Sequence, residues 1–174
     1  MKCAGIYTPG FGGANQEQIE IHAQAIAKAT SLCAILGGEH VVSTGAVARQ
    51  GYDISSVISC VQRIIELLPP DNNIKIGLEP HYGNIIEQME IPPTPLGGIF
   101  SAIDHPLIGI CVDTGHFHSA KVDTVGLIRK FSDKIYDVHL KDHIGTVFTK
   151  VNQSSQSVPI GHGEVDLPII FGAL

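Results

Sequence analysis

Charge is scarce in this chain: Asp, Glu, Lys and Arg make up only 16% of its 174 residues. Basic residues are scarcer still, with 11 Lys and Arg against 17 Asp and Glu and a formal net charge of -6. Nucleic-acid binding needs clustered cations against phosphates, so a DNA or RNA surface is excluded as an expectation. No cluster of Lys or Arg marks a phosphate pocket either; Arg49, Lys141 and Lys150 are scattered. No run approaches the roughly 18 unbroken apolar residues that span a membrane. The opening residues Met1 to Ile6 lack the long apolar core of a signal peptide, and the expected location is cytoplasmic. Cys3, Cys33, Cys60 and Cys111 form no CxxC pair and sit in apolar surroundings, as reduced core thiols do. Neither GxGxxG after the first strand nor GxxxxGK[ST] anywhere occurs, which removes the best support for a nucleotide-binding fold.

What is present is a 44% hydrophobic chain of a length that suits one domain with a sizeable core. Its patterning alternates. Strands are expected at 2–8, 40–44, 74–79, 108–113 and 134–140, with helices between them at 16–36, from Asp53 or Ser55 to Leu68, at 96–103 and at 122–131. A short helix over 84–89, a Pro-rich surface connection over 91–95, a long loop over 142–159 and a helix opening at Leu167 complete the reading. Alternation of this kind predicts an α/β fold, a parallel sheet with right-handed crossovers.

The chemistry gathers where such sheets place it, at the carboxyl ends of strands. The apolar run Ile108 to Val112 ends in Asp113-Thr-Gly-His116. The strand before it ends in Glu79, followed by His81, and the strand after it ends in His139, followed by Lys141, Asp142 and His143. Two carboxylates and an imidazole on adjacent strands suit one divalent cation, Mn, Mg, Co or Zn. Each residue also has a structural reading. Asp113 could cap the next helical segment, His116 and His139 could be satisfied core histidines, and Lys141 could pair locally with Asp142. His118 and His143 read as solvated loop residues, and His22, His40 and His105 as structural ones. His81 is a candidate for contacting a substrate hydroxyl. Gly161-His-Gly-Glu-Val-Asp166 reads either as a turn with Asp166 as N-cap, or as backbone amides that meet an anionic or polyol substrate.

Glu79, Asp113-Thr-Gly-His116, His139-Leu-Lys-Asp142 and Gly161-x-Gly-Glu-Val-Asp166, in this order and spacing, resemble the xylose isomerase-like TIM-barrel superfamily. The similarity is strongest to its sugar phosphate isomerase/epimerase branch, which includes ketose 3-epimerases and inosose dehydratase-like enzymes. It implies a (β/α)8 barrel in which one divalent metal binds vicinal oxygens of a sugar. By this resemblance Glu79, Asp113 and His139 are metal ligands, Glu79 is also a catalytic acid/base, and His116 contacts substrate. The endonuclease IV branch fits less well: Ser43-Thr44-Gly45 stands where that branch has a histidine, and no Asp-Arg-His follows His139.

Aligned on these motifs, the five strands correspond to the third through seventh of the barrel. Residues 1–174 are therefore expected to be a partial barrel domain, without counterparts of the first two strands and the last. A fourth ligand, a glutamate on the eighth strand, has no counterpart, nor has the second half of the acid/base pair. The expected activity is isomerisation or epimerisation of a ketose or related polyol through an enediolate, a free sugar or polyol being favoured over a phosphorylated one. The alternatives are an inosose dehydratase-like lyase that uses Lys141 as an additional acid or base, and an inactive remnant that only binds metal or sugar. A partner chain or a homo-oligomer that completes the barrel is compatible with the same pattern.

Overall fold

The computed structural model describes residues 3–44, 54–80, 95–145 and 156–174. Five parallel strands lie side by side in chain order: β1 (Gly5–Pro9), β2 (His40–Thr44), β3 (Lys75–Glu79), β4 (Ile108–Asp113) and β5 (Ile135–His139). Helices α1 (Gln16–Ile35), α2 (Ile54–Leu67), α3 (Pro95–Ala102), α4 (Thr114–Ser119), α5 (Thr124–Lys130) and α6 (Leu167–Ala173) fill the connections and follow the last strand. The sheet curls as part of an α/β barrel does, and the alternating pattern of the sequence is borne out.

Local chemistry sets the helix boundaries. Asn15 caps α1 by accepting the Gln18 amide at 3.0 Å, and Gly37, with φ of 71°, closes it in the left-handed region. Asp123 caps α5 and Asp166 caps α6 through the amides of Gly126 and Ile169. The N-cap expected at Asp166 is thus present.

Strand alternation divides the sheet into two faces. Ile76, Leu78, Ile108, Ile110 and Val112 point to the helices, where they join Ile26 of α1, Val61 and Ile64 of α2 and Leu127 of α5 in one buried core. Burying a side chain of this size contributes about 1.5–3 kcal/mol. The opposite face carries Tyr7, Gly77, Glu79, Cys111 and Asp113. A slip in register between Ile110 and Cys111 makes Tyr136 an additional residue of β5 and sets Asp137 and His139 opposite Cys111 and Asp113. The polar face is therefore the concave one, and its ligand-type side chains share it.

Two segments differ from the sequence expectation. Residues 142–159 are not one loop: β6 (Asp142–Ile144) and β7 (Gln156–Val158) pair antiparallel, with Asp142 opposite Val158. A run of Ser, Asn and Gln hides such a ribbon from hydropathy, because neither face of it enters an apolar core. The helix expected over 122–131 is α5, 124–130, and a separate helix, α4, starts directly at the end of β4. The expected helix at 84–89, residues 91–94 of the connection expected at 91–95, and His81 lie outside the described residues, while Pro95 opens α3.

Candidate metal centre

β3, β4 and β5 deliver Glu79, Asp113 and His139 to one rim of the concave face. Glu79 and Asp113 are 1% and 0% exposed. Two carboxylates this deeply buried require positive charge or donors close by. Those partners are present: His139 Nδ1 donates to Glu79 Oε1 at 3.0 Å and lies 3.8 Å from Asp113 Oδ2, while Lys141 Nζ lies 2.6 Å from the same Oδ2. Lys141 thus pairs with Asp113 across the turn, rather than with the adjacent Asp142. Glu79, through its hydrogen bond above all, raises the His139 pKa above the ordinary 6.5.

Asp113 carries out two tasks. Its Oδ1 accepts the amide of His116 at 2.9 Å as the N-cap of α4, and its Oδ2 remains on the rim. The capping role and the rim role entertained for Asp113 are therefore simultaneous. His116 Nε2 comes within 3.9 Å of Oδ2, and Glu79, Asp113 and His116 each offer a donor atom within 4.8 Å of the others. Thr114 anchors the corner: its hydroxyl donates to the Lys141 carbonyl at 2.6 Å and accepts the Lys141 amide at 2.8 Å.

The third residue of Asp113-Thr-Gly-His116 has a steric reason. A Cβ on Gly115 would stand 2.6 Å from the His143 ring and 2.8 Å from the Lys141 Cβ. Gly115→Ala should therefore destabilise the fold by about 1–3 kcal/mol, as overpacking does, and a urea titration of the variant measures it. An unchanged midpoint would mean that this corner is looser than described.

His143 is not a solvated loop residue. It is 4% exposed and bridges α4 to the ribbon: with the Ser119 hydroxyl donating to Gly115, Nδ1 donates to Ser119 Oγ at 2.9 Å and Nε2 accepts from Ser157 at 2.8 Å. Burial lowers its pKa. The amides of the Gly161–Asp166 motif are likewise not open to substrate. Those of Gly161, Gly163 and Val165 donate to the buried Asp142 at 2.9, 2.8 and 3.2 Å. Burial on its own would raise the Asp142 pKa; these amides together outweigh it and hold the group below its ordinary 3.8.

Both shifts act in the same direction on stability. The contribution of His143 is complete above 6.5 and is lost as pH falls from there toward its depressed folded value, since only the unfolded chain accepts the proton readily. That of Asp142 is complete above 3.8 and is lost as pH falls through its folded value below that. Denaturant midpoints should thus decline below about pH 6.5 and again below about pH 4, and His143→Gln should remove the first decline.

Two residues of the concave face, Tyr7 and Asp137, escaped the sequence reading, and His40 was read there as structural. Tyr7, on β1, hydrogen-bonds Glu79 and sits with its ring 6.0 Å from that of His139; burial, then the Glu79 charge, push its pKa up to about 12. His40 and Asp137 meet at 3.2 Å across the sheet. The alternation of β1 and β5 placed Tyr7 and Asp137 on the ligand face in principle, but only the curl of the sheet shows which strands approach one another.

The sequence profile of the xylose isomerase-like TIM barrel matches residues 3–174. The chain belongs to that family. Its curated relatives include inosose dehydratase of Clostridium beijerinckii, 27% identical over 94 residues, which are 54% of this chain and 30% of that protein. Among solved structures, the zinc-bound IolI protein superposes with a TM-score of 0.76 at 18% identity, over 99% of this chain and 62% of that one. The 3-keto-D-glucoside 4-epimerase YcjR of E. coli superposes with a TM-score of 0.71 at 14% identity, over 100% of this chain and 67% of that one. These likenesses establish the fold, and the chain spans less than two thirds of the first two proteins. Among the described residues no helix is long and apolar enough to cross a membrane.

Proposed function

We propose that the rim of the concave face binds one divalent cation through Glu79, Asp113 and His139, and that the family chemistry this site serves is isomerisation or epimerisation of a ketose or related polyol. The convergence of two buried carboxylates with His139 Nδ1 carries this reading. The separations of 3.0 and 3.8 Å from His139 Nδ1 to Glu79 Oε1 and Asp113 Oδ2 suit atoms that would share one ion at about 2.0–2.2 Å. His116 is near enough to act as a further ligand or to meet a substrate oxygen. Mn, Mg, Co and Zn all suit this mixture of carboxylate and imidazole.

The bound cation supplies Lewis acidity toward a sugar carbonyl. The chain's own residues supply the rest. Glu79 is the group that removes the proton beside the carbonyl, and its contacts with His139 and Tyr7 hold its carboxylate toward the cavity. The enediolate so formed accepts a proton again on either face. Lys141 and His116 bring positive charge or donors to the substrate oxygens. His81, outside the described residues, is assigned to a substrate hydroxyl. The domain is assigned as five strands of an eight-stranded barrel, and the acid that answers Glu79 in a complete site lies on a strand outside this set.

A second reading, a dehydratase of the inosose type, is favoured by the curated relatives and by Lys141, whose ammonium lies at the rim where a leaving hydroxyl would need a proton. Incubation with ketoses and inososes in D2O separates the two. Epimerisation places deuterium beside the carbonyl without loss of water, whereas dehydration yields a product lighter by one water. Neither change on any ketose, polyol or inosose would remove both activities and leave a binding site.

Ion binding should weaken with acid. The cation must displace the proton on His139, whose pKa is raised above 6.5, so affinity is expected to fall about tenfold per pH unit below that value. Zinc titrations across this range measure the slope. A flat profile would remove His139 from the ligand set.

A further inference from the structure

Asp137 belongs to the same face as the rim but one pleat further from it. Its Oδ2 lies 3.8 Å from His139 Nε2, and His139 turns Nδ1, its other ring nitrogen, to Glu79 and Asp113. The carboxylate is itself held: Oδ1 accepts the amide of Val138 at 2.8 Å, and Oδ2 is 3.2 Å from His40 Nε2. That last contact joins β2 to β5 over two intervening strands.

A neutral imidazole carries one proton. If Nδ1 offers its lone pair to an ion, the proton must stand on Nε2, and it then needs an acceptor. Asp137 places a carboxylate oxygen 3.8 Å from Nε2. We infer that Asp137 is a positioning residue for His139: its negative charge beside Nε2 favours the tautomer that carries the proton there, leaves Nδ1 free for the cation, and so raises the affinity of the rim. The inference rests on the metal reading above and adds a residue to it. Carboxylates in this position commonly contribute a factor of 10 to 100 in metal affinity.

A competing arrangement uses the same atoms. Cys111, Asp137 and His139 also present donors within 4.8 Å of one another, so Asp137 could instead be a direct ligand of a second ion. The two differ in stoichiometry. A purely structural part, the tie to His40, differs in its dependence on His40.

The test is a zinc titration of the metal-stripped chain against a chromophoric chelator, for wild type, Glu79→Ala, Asp137→Ala, Asp137→Asn and His40→Ala, each first shown folded by far-UV circular dichroism. The expected result is one equivalent for wild type and none for Glu79→Ala. Asp137→Ala should retain one equivalent at roughly 10- to 100-fold lower affinity. Asp137→Asn, which keeps an acceptor oxygen but no charge, should lose less, and His40→Ala should bind as wild type does. Wild-type affinity in Asp137→Ala would overturn the inference while leaving the metal site in place. Equal losses in His40→Ala and Asp137→Ala would overturn it in favour of the structural tie, and a second equivalent lost with Asp137 would overturn it in favour of a ligand. A folded wild-type chain that takes up no zinc would overturn the metal reading itself, and this inference with it.

Discussion

Asp142→Ala is expected to lower the thermal midpoint by roughly 5 °C or more, a larger effect than any exposed carboxylate of this chain should give. The carboxylate is 2% exposed and its two oxygens accept the amides of Gly161, Gly163 and Val165. Alanine would leave those donors without an acceptor at the point where the segment following the β6–β7 ribbon folds back over the end of β5. Asp142→Asn should lose less, since one oxygen still accepts, but its amide nitrogen would face N–H donors. Differential scanning calorimetry of the two variants measures the difference. A midpoint for Asp142→Ala within a degree or two of wild type would show that these hydrogen bonds are replaced by water at no cost. Then the Gly161–Asp166 amides would be available to a ligand after all.

The second large effect concerns the rim. Glu79→Ala and His139→Ala should each weaken binding of zinc or manganese by at least about 100-fold, because each removes one of three protein donors from a site that holds few others. Stability of the metal-free protein is a poorer guide. Removing Glu79 relieves the repulsion between two buried carboxylates at the same time as it takes away the acceptor of His139, and the two effects oppose one another. The informative quantity is the rise in midpoint on adding metal, which follows the ratio of free ion to dissociation constant. That rise should be present in wild type and absent from both variants. A rise that survives in either one would place the ion elsewhere on the molecule.

Much of this architecture was legible in the residues, for identifiable reasons. β4 reads as Ile-Gly-Ile-Cys-Val-Asp because a strand covered on both faces needs apolar residues throughout, and each of its residues is buried. Helices α1 and α2 declared themselves through helical periodicity and through stops at Gly37-Gly38 and Pro69-Pro70. The positions of Glu79, Asp113 and His139 followed from strand ends, which the pairing confirms, with Asp113 directly opposite His139. What remained hidden was of two kinds. The β6–β7 ribbon is polar and short, so hydropathy cannot separate it from a loop. Tyr7, His40 and Asp137 acquire their partners only when the sheet curls, because those partners lie 60 or more positions away in sequence for Tyr7 and on the far side of two strands for His40. Lys141 illustrates both limits: its neighbour Asp142 was the obvious partner by proximity in the chain, yet the amides of the following turn claim Asp142 and leave Lys141 to Asp113.

The same geometry explains why a site can stand at the margin of the described strands. The Lys141 ammonium and the His139 ring offset the charge of the two buried carboxylates from within the rim. An incoming cation competes with both, which makes the affinity of this chain a direct report on how well the three strand ends cooperate.

The most direct measurement is therefore a calorimetric titration of the metal-stripped, folded chain with zinc. Convergence of β3, β4 and β5 on one ion requires one equivalent, with protons released as His139 gives up its own. No uptake, or uptake that is unaltered in Glu79→Ala and His139→Ala, would contradict it.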